Sequence, residues 1–325
     1  MKPSKAQIFS VNNLERDSLG DETWNNFIAE SPQGVPYGCT WYLDAVWPEW
    51  KGIMVFSQQK LIAVMPFRVT RKFGIAYIFN PPLCQYLGIF FIPFEGKKTE
   101  QELTLKKRVV NAILGALPKK LSLVILNFAP EFDYPLPFFW SGYELRTRYS
   151  YWLENDADKQ KLFRHLNERT RTYIHKAKKC GLKVVHTDNA GALIQLSRKK
   201  DSYLLDYGAL ERLWVALQTH KIGETIEVRD EQDRLHAGLI YMRWGKKIIH
   251  LFSASDPEVA QFGGMSLAVW HSIEQAGEDV EVIDFEGSMI ESIEHFFRSF
   301  GGKPIPYLQI RKNSFPKPFR WLLEK

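Results

Sequence analysis

Two carboxylates one residue apart, Asp284 and Glu286, close the β-branched run that begins at Val280 in VEVIDFEGSMIESIEHFFRSFGGKPIPY. Such a run predicts a strand, and the C-terminal edge of strands in an open α/β sheet is where ligands gather, because the strands stop and the following turns leave a crevice. A carboxylate placed there can take a proton from a nucleophile. Glu286, on the turn, is the more open of the pair. Asp284 also suits a capping role, and Ser288 with Glu291 spells a capping box for a helix over Met289 to Phe300. A second group is Gln261, Gly263, Gly264 and Ser266 in AQFGGMSL. Glycines let a backbone approach a ligand closely and a helix N-terminus attracts phosphate, although the same residues make an ordinary turn and N-cap. In HLFSAS, Ser253 and Ser255 offer hydroxyl donors, and His250 reads as a carbonyl polariser or a satisfied core residue. Tyr307, after Pro304 and Pro306, supplies a phenolic proton or packing.

A third group is electrostatic. Residues 158–183 hold nine Lys or Arg against two acids, a local +7 in a chain of net charge +6. Everything else is close to neutral. This concentration suggests an anionic partner, with Arg169, Arg171, Lys176 and Lys179 as phosphate contacts. A solvated helix face is the alternative.

The elements that must position these residues read most clearly in the second half. Strand signals at Leu182–His186, Glu224–Asp230, Leu235–Trp244, Ile248–Ser255, Val280–Asp284 and Ile305–Arg311 alternate with helical periodicity at Ala190–Lys199, Tyr207–His220, Gly264–Ala276 and Met289–Phe300. The basic segment predicts one helix over Asp158–Cys180, stopped by Gly181. The first half shows a worn copy of the plan: a hairpin of Ile53–Ser57 and Leu61–Arg68, a strand at Ile75–Phe79, a helix over Glu100–Ala116 and a strand at Leu121–Phe128. The text LVILNFAPEFDYPLPFFWSGYELR lines up with VEVIDFEGSMIESIEHFFRSFGGKPIP, setting Asn127 opposite Asp284. Pro130, Pro135 and Pro137 then interrupt the helix that should follow.

DFEGS with FFRSFG, the phrase RTYIHKAKKCGLKV and the spacing of Gln261, Gly264 and Ser266 together resemble the Fem-type branch of the GNAT acyltransferase superfamily. The likeness in element order covers residues 182–311. It implies an α/β (α+β) architecture of tandem GNAT-like domains, each a mixed, mostly antiparallel sheet flanked by helices. The expected boundaries are 1–153 for a degenerate N-terminal copy and 154–325 for the acyltransferase copy. It also implies roles: Glu286 or Asp284 as base, Tyr307 as proton donor to the leaving group, the strand at Ser253 and Ser255 beside the donor's acyl arm, and Gln261 to Ser266 on the coenzyme A pyrophosphate. Ser266 departs from the usual small apolar residue at its position.

Composition bounds the alternatives. At 325 residues, 45% hydrophobic and 25% charged, the chain reads as globular with two domains. No run approaches a membrane span, and MKPSKAQIFS lacks the apolar stretch of a secretory signal. Three scattered cysteines fit a reducing, cytoplasmic setting. No Walker loop, serine elbow or metal-ligand spacing is present, so no metal is expected. Three functions stay open: N-acyl transfer from acyl-coenzyme A to an amine, aminoacyl-tRNA-dependent transfer onto a peptidoglycan precursor, and a non-catalytic module that binds RNA or a partner.

Overall fold

The computed structural model describes residues 9–94, 96–199 and 206–315. The chain divides into two compact units, Met1–Arg148 with Pro306–Lys325, and Tyr149–Ile305. This differs from the expected split at 153/154 in one important way. The final strand, read as the end of the second domain, passes from one unit into the other, and the reason is pairing: Gln309 to Asn313 lie antiparallel to Asn127 to Leu123.

In the first unit, strand β1 (Phe9–Glu15) precedes helices α1 (Asp21–Glu30) and α2 (Thr40–Val46), followed by β2 (Lys51–Ser57), β3 (Lys60–Phe67), β4 (Thr70–Lys72), β5 (Ile75–Ile78) and β6 (Phe90–Phe91). Then come α3 (Thr99–Ala116), β7 (Leu123–Asn127), α4 (Leu136–Trp140) and β8 (Glu144–Glu154), within which the chain crosses into the second unit. One sheet runs β1-β2-β3-β6. In the other, β5 lies parallel to β7 and antiparallel to β4. Its core, around Val55, Met65, Val109, Ile113, Leu126 and Phe128, is formed by residues of this unit alone. The prolines act as expected, since α4 is only five residues long. Asn127, aligned with Asp284, is fully tied down. Its amide nitrogen donates to the Gln85 carbonyl, its side-chain oxygen accepts from Gln309, and its backbone N–H donates to Asn80.

The second unit continues with α5 (Lys159–His165), α6 (Glu168–Lys179), β9 (Lys183–Thr187), α7 (Gly191–Arg198), α8 (Tyr207–Thr219), β10 (Gly223–Arg229), β11 (Leu235–Trp244), β12 (Lys247–Ser255), α9 (Gly264–Glu274), β13 (Val282–Asp284) and α10 (Glu291–Arg298). Last is β14 (Lys303–Asn313), which returns to the first unit. The antiparallel run β9-β10-β11-β12 is joined by β13, parallel to β12 and antiparallel to β8. A separate core of Ile174, Ala177, Ile226, Leu239, Leu267, Trp270, Ile273, Ile283 and Phe285 packs α6 and α9 onto this sheet. The expected single basic helix is two helices. Leu166 is extended and Asn167 starts α6 by accepting from the Arg169 N–H, as Asp158 starts α5 by accepting from Lys161.

Candidate active site

Strands β12 and β13 part almost as soon as they meet. They pair only over Lys247–Ile249 against Val282–Asp284. Beyond Ile249, β12 runs on to Ser255 with β11 on one side, while the chain after Asp284 turns away. The opening is a cleft of about 450 Å³ lined by β12 residues His250 to Ser255, by Phe285 to Ser288, and by Met265, Val269, Ile293, Phe296 and Phe297 of the two flanking helices. Its floor is apolar and its polar groups gather on the two parted segments.

The turn that shapes it is unusual backbone. Glu286 and Gly287 both have left-handed conformations, with φ of 56° and 55°. For glutamate this costs on the order of 1 kcal/mol, and such residues persist where surroundings fix them, often at functional sites. Gly287 is required twice over, because a Cβ there would sit 2.5 Å from Ser150 Cα. Asp284 supplies part of the fixing force: one of its oxygens accepts from the Ser150 hydroxyl at 2.7 Å and from the Glu286 N–H at 2.8 Å. Phe285 adds to it by stacking on Phe297 at 5.2 Å and 3° and by donating its N–H to the Tyr151 carbonyl at 2.9 Å.

Asp284 is 2% exposed and does not line the cleft. Burial pushes its carboxyl up to about 6, against the opposing pull of the Ser150 and Glu286 hydrogen bonds. It positions the turn beneath Glu286. It does not cap the next helix. The predicted capping box is also absent, since α10 begins only at Glu291 and Ser288 Oγ accepts from the Ile290 N–H, a tighter local turn. Glu286 is half-buried and faces the cleft.

His250 lies in the cleft wall, 6% exposed, and burial holds its imidazole down at about 3. The Ser272 hydroxyl donates to the Val269 carbonyl, so at 2.9 Å it can only accept from His250 Nε2. The ring is therefore neutral with its proton on Nε2.

The structure brings together Ser253, Ser255 and Glu286, with Asp284 behind them. Tyr307 belongs to the first unit, where it is 5% exposed, accepts from Gln85 Nε2 at 3.1 Å and packs edge-on against Tyr86. Gln261 is exposed at the end of a short 3₁₀ turn, and Gly263, Gly264 and Ser266 are buried. Their glycine character has an internal cause: a Cβ on Gly263 would lie 2.4 Å from the Tyr173 carbonyl, and one on Gly264 would lie 3.0 Å from His236 Cβ. Gly263 gives α9 no side-chain cap, which leaves the first-turn N–H groups for another acceptor. Lys176 sits over the Phe262 ring beside this junction. The other cations spread around α6. Arg169 reaches Tyr173, Arg171 donates to the Arg164 carbonyl and Lys179 is exposed. The lining residues Met265, Val269, Ile293, Phe296 and Phe297 were legible only as buried helix faces. For Ile293, Phe296 and Phe297 the signal is that α10, strongly apolar on one side, buries none of its residues.

Residues 167–294 match the family described as an acetyltransferase (GNAT) domain. No curated protein matches the sequence. In fold, the chain is similar to the crystal structure of FemX, at 14% identity and a TM-score of 0.67, with 97% of this chain and 100% of that one covered. It is similar to a tandem GNAT protein from the clavulanic acid biosynthesis pathway, at 9% identity and a TM-score of 0.54, covering 95% and 99%. A conserved protein of unknown function from Bacteroides thetaiotaomicron VPI-5482 aligns at 9% identity and a TM-score of 0.52, covering 94% and 99%. Among the described residues no helix is long and apolar enough to cross a membrane, and no group of three or more metal-ligating side chains forms.

Proposed function

Residues 167–294 are a GNAT acetyltransferase domain, which makes this chain an acyltransferase, and from that premise we propose that its cleft moves an acyl group from an acyl-coenzyme A thioester onto an amine. The observation that carries this reading is the parting of β12 from β13 opposite Glu286. A strand edge that loses its partner inside a cleft offers main-chain donors and acceptors to an extended arm, in the manner of strand addition. The donor supplies the activated carbonyl. The cleft's length along His250–Ser255 orients it, and its apolar walls exclude water from the thioester.

Glu286 takes the proton from the attacking amine, and the left-handed turn fixed by Asp284 holds its carboxylate toward the incoming nitrogen. The new carbon–nitrogen bond forms as the carbon–sulfur bond breaks. A thiol is acidic enough, near pH 8.5 unperturbed, to depart as a thiolate. A phenolic donor such as Tyr307 is therefore not needed. The uncapped first turn of α9, with Lys176 beside it, suits the donor's phosphates. Turnover with acetyl-coenzyme A and a panel of amines tests the reading: Glu286→Gln should reduce kcat by about 10²-fold or more while leaving donor affinity unchanged. Equal turnover in the variant removes Glu286 as base.

A second reading keeps the cleft and changes the donor to an aminoacyl ester on tRNA, with a peptidoglycan precursor as acceptor. The end-to-end fold match with FemX and the cations on α5 and α6 favour it. Incubation with charged tRNA and precursor, with acetyl-coenzyme A in a parallel reaction, separates the two.

A further inference from the structure

The cleft offers more apolar surface than an acetyl group can use. α10 lines it with Ile293, Phe296 and Phe297, and α9 adds Met265 and Val269. Phe297 is held in place by its stack on Phe285 and by the edge of Phe296 at 5.8 Å. One turn before Ile293, whose N–H donates to the Ile290 carbonyl, Ile290 and Met289 continue the stripe beyond the cleft wall. Met289, Ile290 and Ile293 are 52%, 59% and 39% exposed. A globular domain buries such a stripe, yet no residue of α10 is buried. Apolar surface left open beside a reactive centre marks a ligand groove.

Charge narrows what the groove can take. Glu286 is the one acid among the lining residues, none is Lys or Arg, and His250 is neutral. The charges of α10 are engaged elsewhere, since Glu294 accepts from the Tyr151 hydroxyl and pairs with Arg298. On the premise of an acyl-coenzyme A donor, we propose that the acyl group is an uncharged apolar chain of medium length, such as octanoyl, which lies along the Phe297, Phe296, Ile293 and Ile290 stripe of α10.

Continuity with the reacting centre fixes the occupant. The amide-bearing arm of the donor takes the polar side of the cleft, at the β12 edge with Ser253 and Ser255. The thioester carbonyl then lies near Glu286, on the segment that leads into α10, and whatever the carbonyl carries meets the α10 wall. From Phe297 back to Ile290 that wall is about 10 Å long at the helical rise per residue. An acetyl group would leave most of it wet. An acyl group ending in a carboxylate would set its charge against phenyl rings with no lining cation to receive it.

Isothermal titration of the full chain with acetyl-, butyryl-, octanoyl- and succinyl-coenzyme A tests this. Each methylene taken from water is worth about fourfold in affinity when fully covered, and about twofold when an open cleft covers half of it. Octanoyl-coenzyme A should therefore bind at least tenfold more tightly than acetyl-coenzyme A, with a more negative heat-capacity change. Succinyl-coenzyme A should bind more weakly than butyryl-coenzyme A, whose acyl group has the same number of carbons. Ile293→Glu should reduce the octanoyl-to-acetyl affinity ratio at least tenfold. Ile293 is exposed, so the variant keeps its core, which circular dichroism checks; should it unfold, the parent series alone decides. Equal affinity for acetyl- and octanoyl-coenzyme A, tighter binding of succinyl- than of butyryl-coenzyme A, or a ratio that Ile293→Glu leaves unchanged overturns the proposal and leaves acetyl transfer standing. Binding of none of the four removes the coenzyme A reading, and the chain-length inference with it.

Discussion

Asp284→Asn should stabilise this protein at neutral and alkaline pH, and the size of the gain follows from the burial of one carboxyl. In the folded chain the Asp284 carboxyl titrates at about 6, against 3.8 when unperturbed, because burial in the interior outweighs the hydrogen bonds from Ser150 and Glu286 and the nearby Lys247 that favour its charge. A raised folded value means that Asp284's contribution is fully present below about pH 3.8 and is lost as the pH rises through 6. Above pH 7 the ionised form carries a penalty of about 3 kcal/mol. Asparagine removes the charge and keeps an oxygen able to accept from Ser150 and Glu286. Urea denaturation of both proteins at pH 4, 6 and 8 measures the effect. The variant should match the parent at pH 4 and exceed it progressively toward pH 8, by up to about 3 kcal/mol. A difference that is flat with pH, or that favours the parent at pH 8, refutes the reasoning.

His250 gives the opposite slope. Its imidazole is held at about 3 in the fold against 6.5 unperturbed, so below pH 6.5 the unfolded chain binds the proton first. Stability referable to His250 should fall by about 1.4 kcal/mol per pH unit between 6.5 and 3, and His250→Gln should flatten the curve measured by denaturation across that range. Gly287→Ala should cost more than about 2 kcal/mol through the left-handed backbone and the clash with Ser150, read as a lowered urea midpoint. Phe285→Ala should cost about 3–5 kcal/mol, since the ring is 2% exposed and stacked on Phe297. It should also raise hydrogen exchange in α10.

The architecture was legible wherever local pattern and tertiary packing agree. β10, β11 and β12 alternate or run apolar as strands buried by helices must, and α9 shows its apolar face in Ala268, Val269 and Ile273, all buried. Glu286 and the β12 serines followed from their place at a strand end. Three features were hidden. The break between α5 and α6 depends on Asn167 acting as a cap within an otherwise helical pattern. Tyr307 belongs to the first unit although the chain just before it belongs to the second, because β14 leaves one unit for the other, and strand pairing across more than 180 residues decides that. Ser288 and Glu291 carry the spacing of a capping box, yet two consecutive left-handed residues, Glu286 and Gly287, precede it and the helix starts at Glu291 in place of Met289. The glycine at 263 shows how one residue type serves two causes, since its left-handed backbone and close approach to the Tyr173 carbonyl demand it whether or not a phosphate binds.

Isothermal titration of acetyl-coenzyme A into the parent chain and into Ser253→Trp tests the central claim most directly. Ser253 is exposed on β12 in the cleft wall, so an indole there fills the opening without disturbing the core. The account predicts one site per chain in the parent and its loss in the variant. No binding to the parent, or equal binding to both, contradicts it.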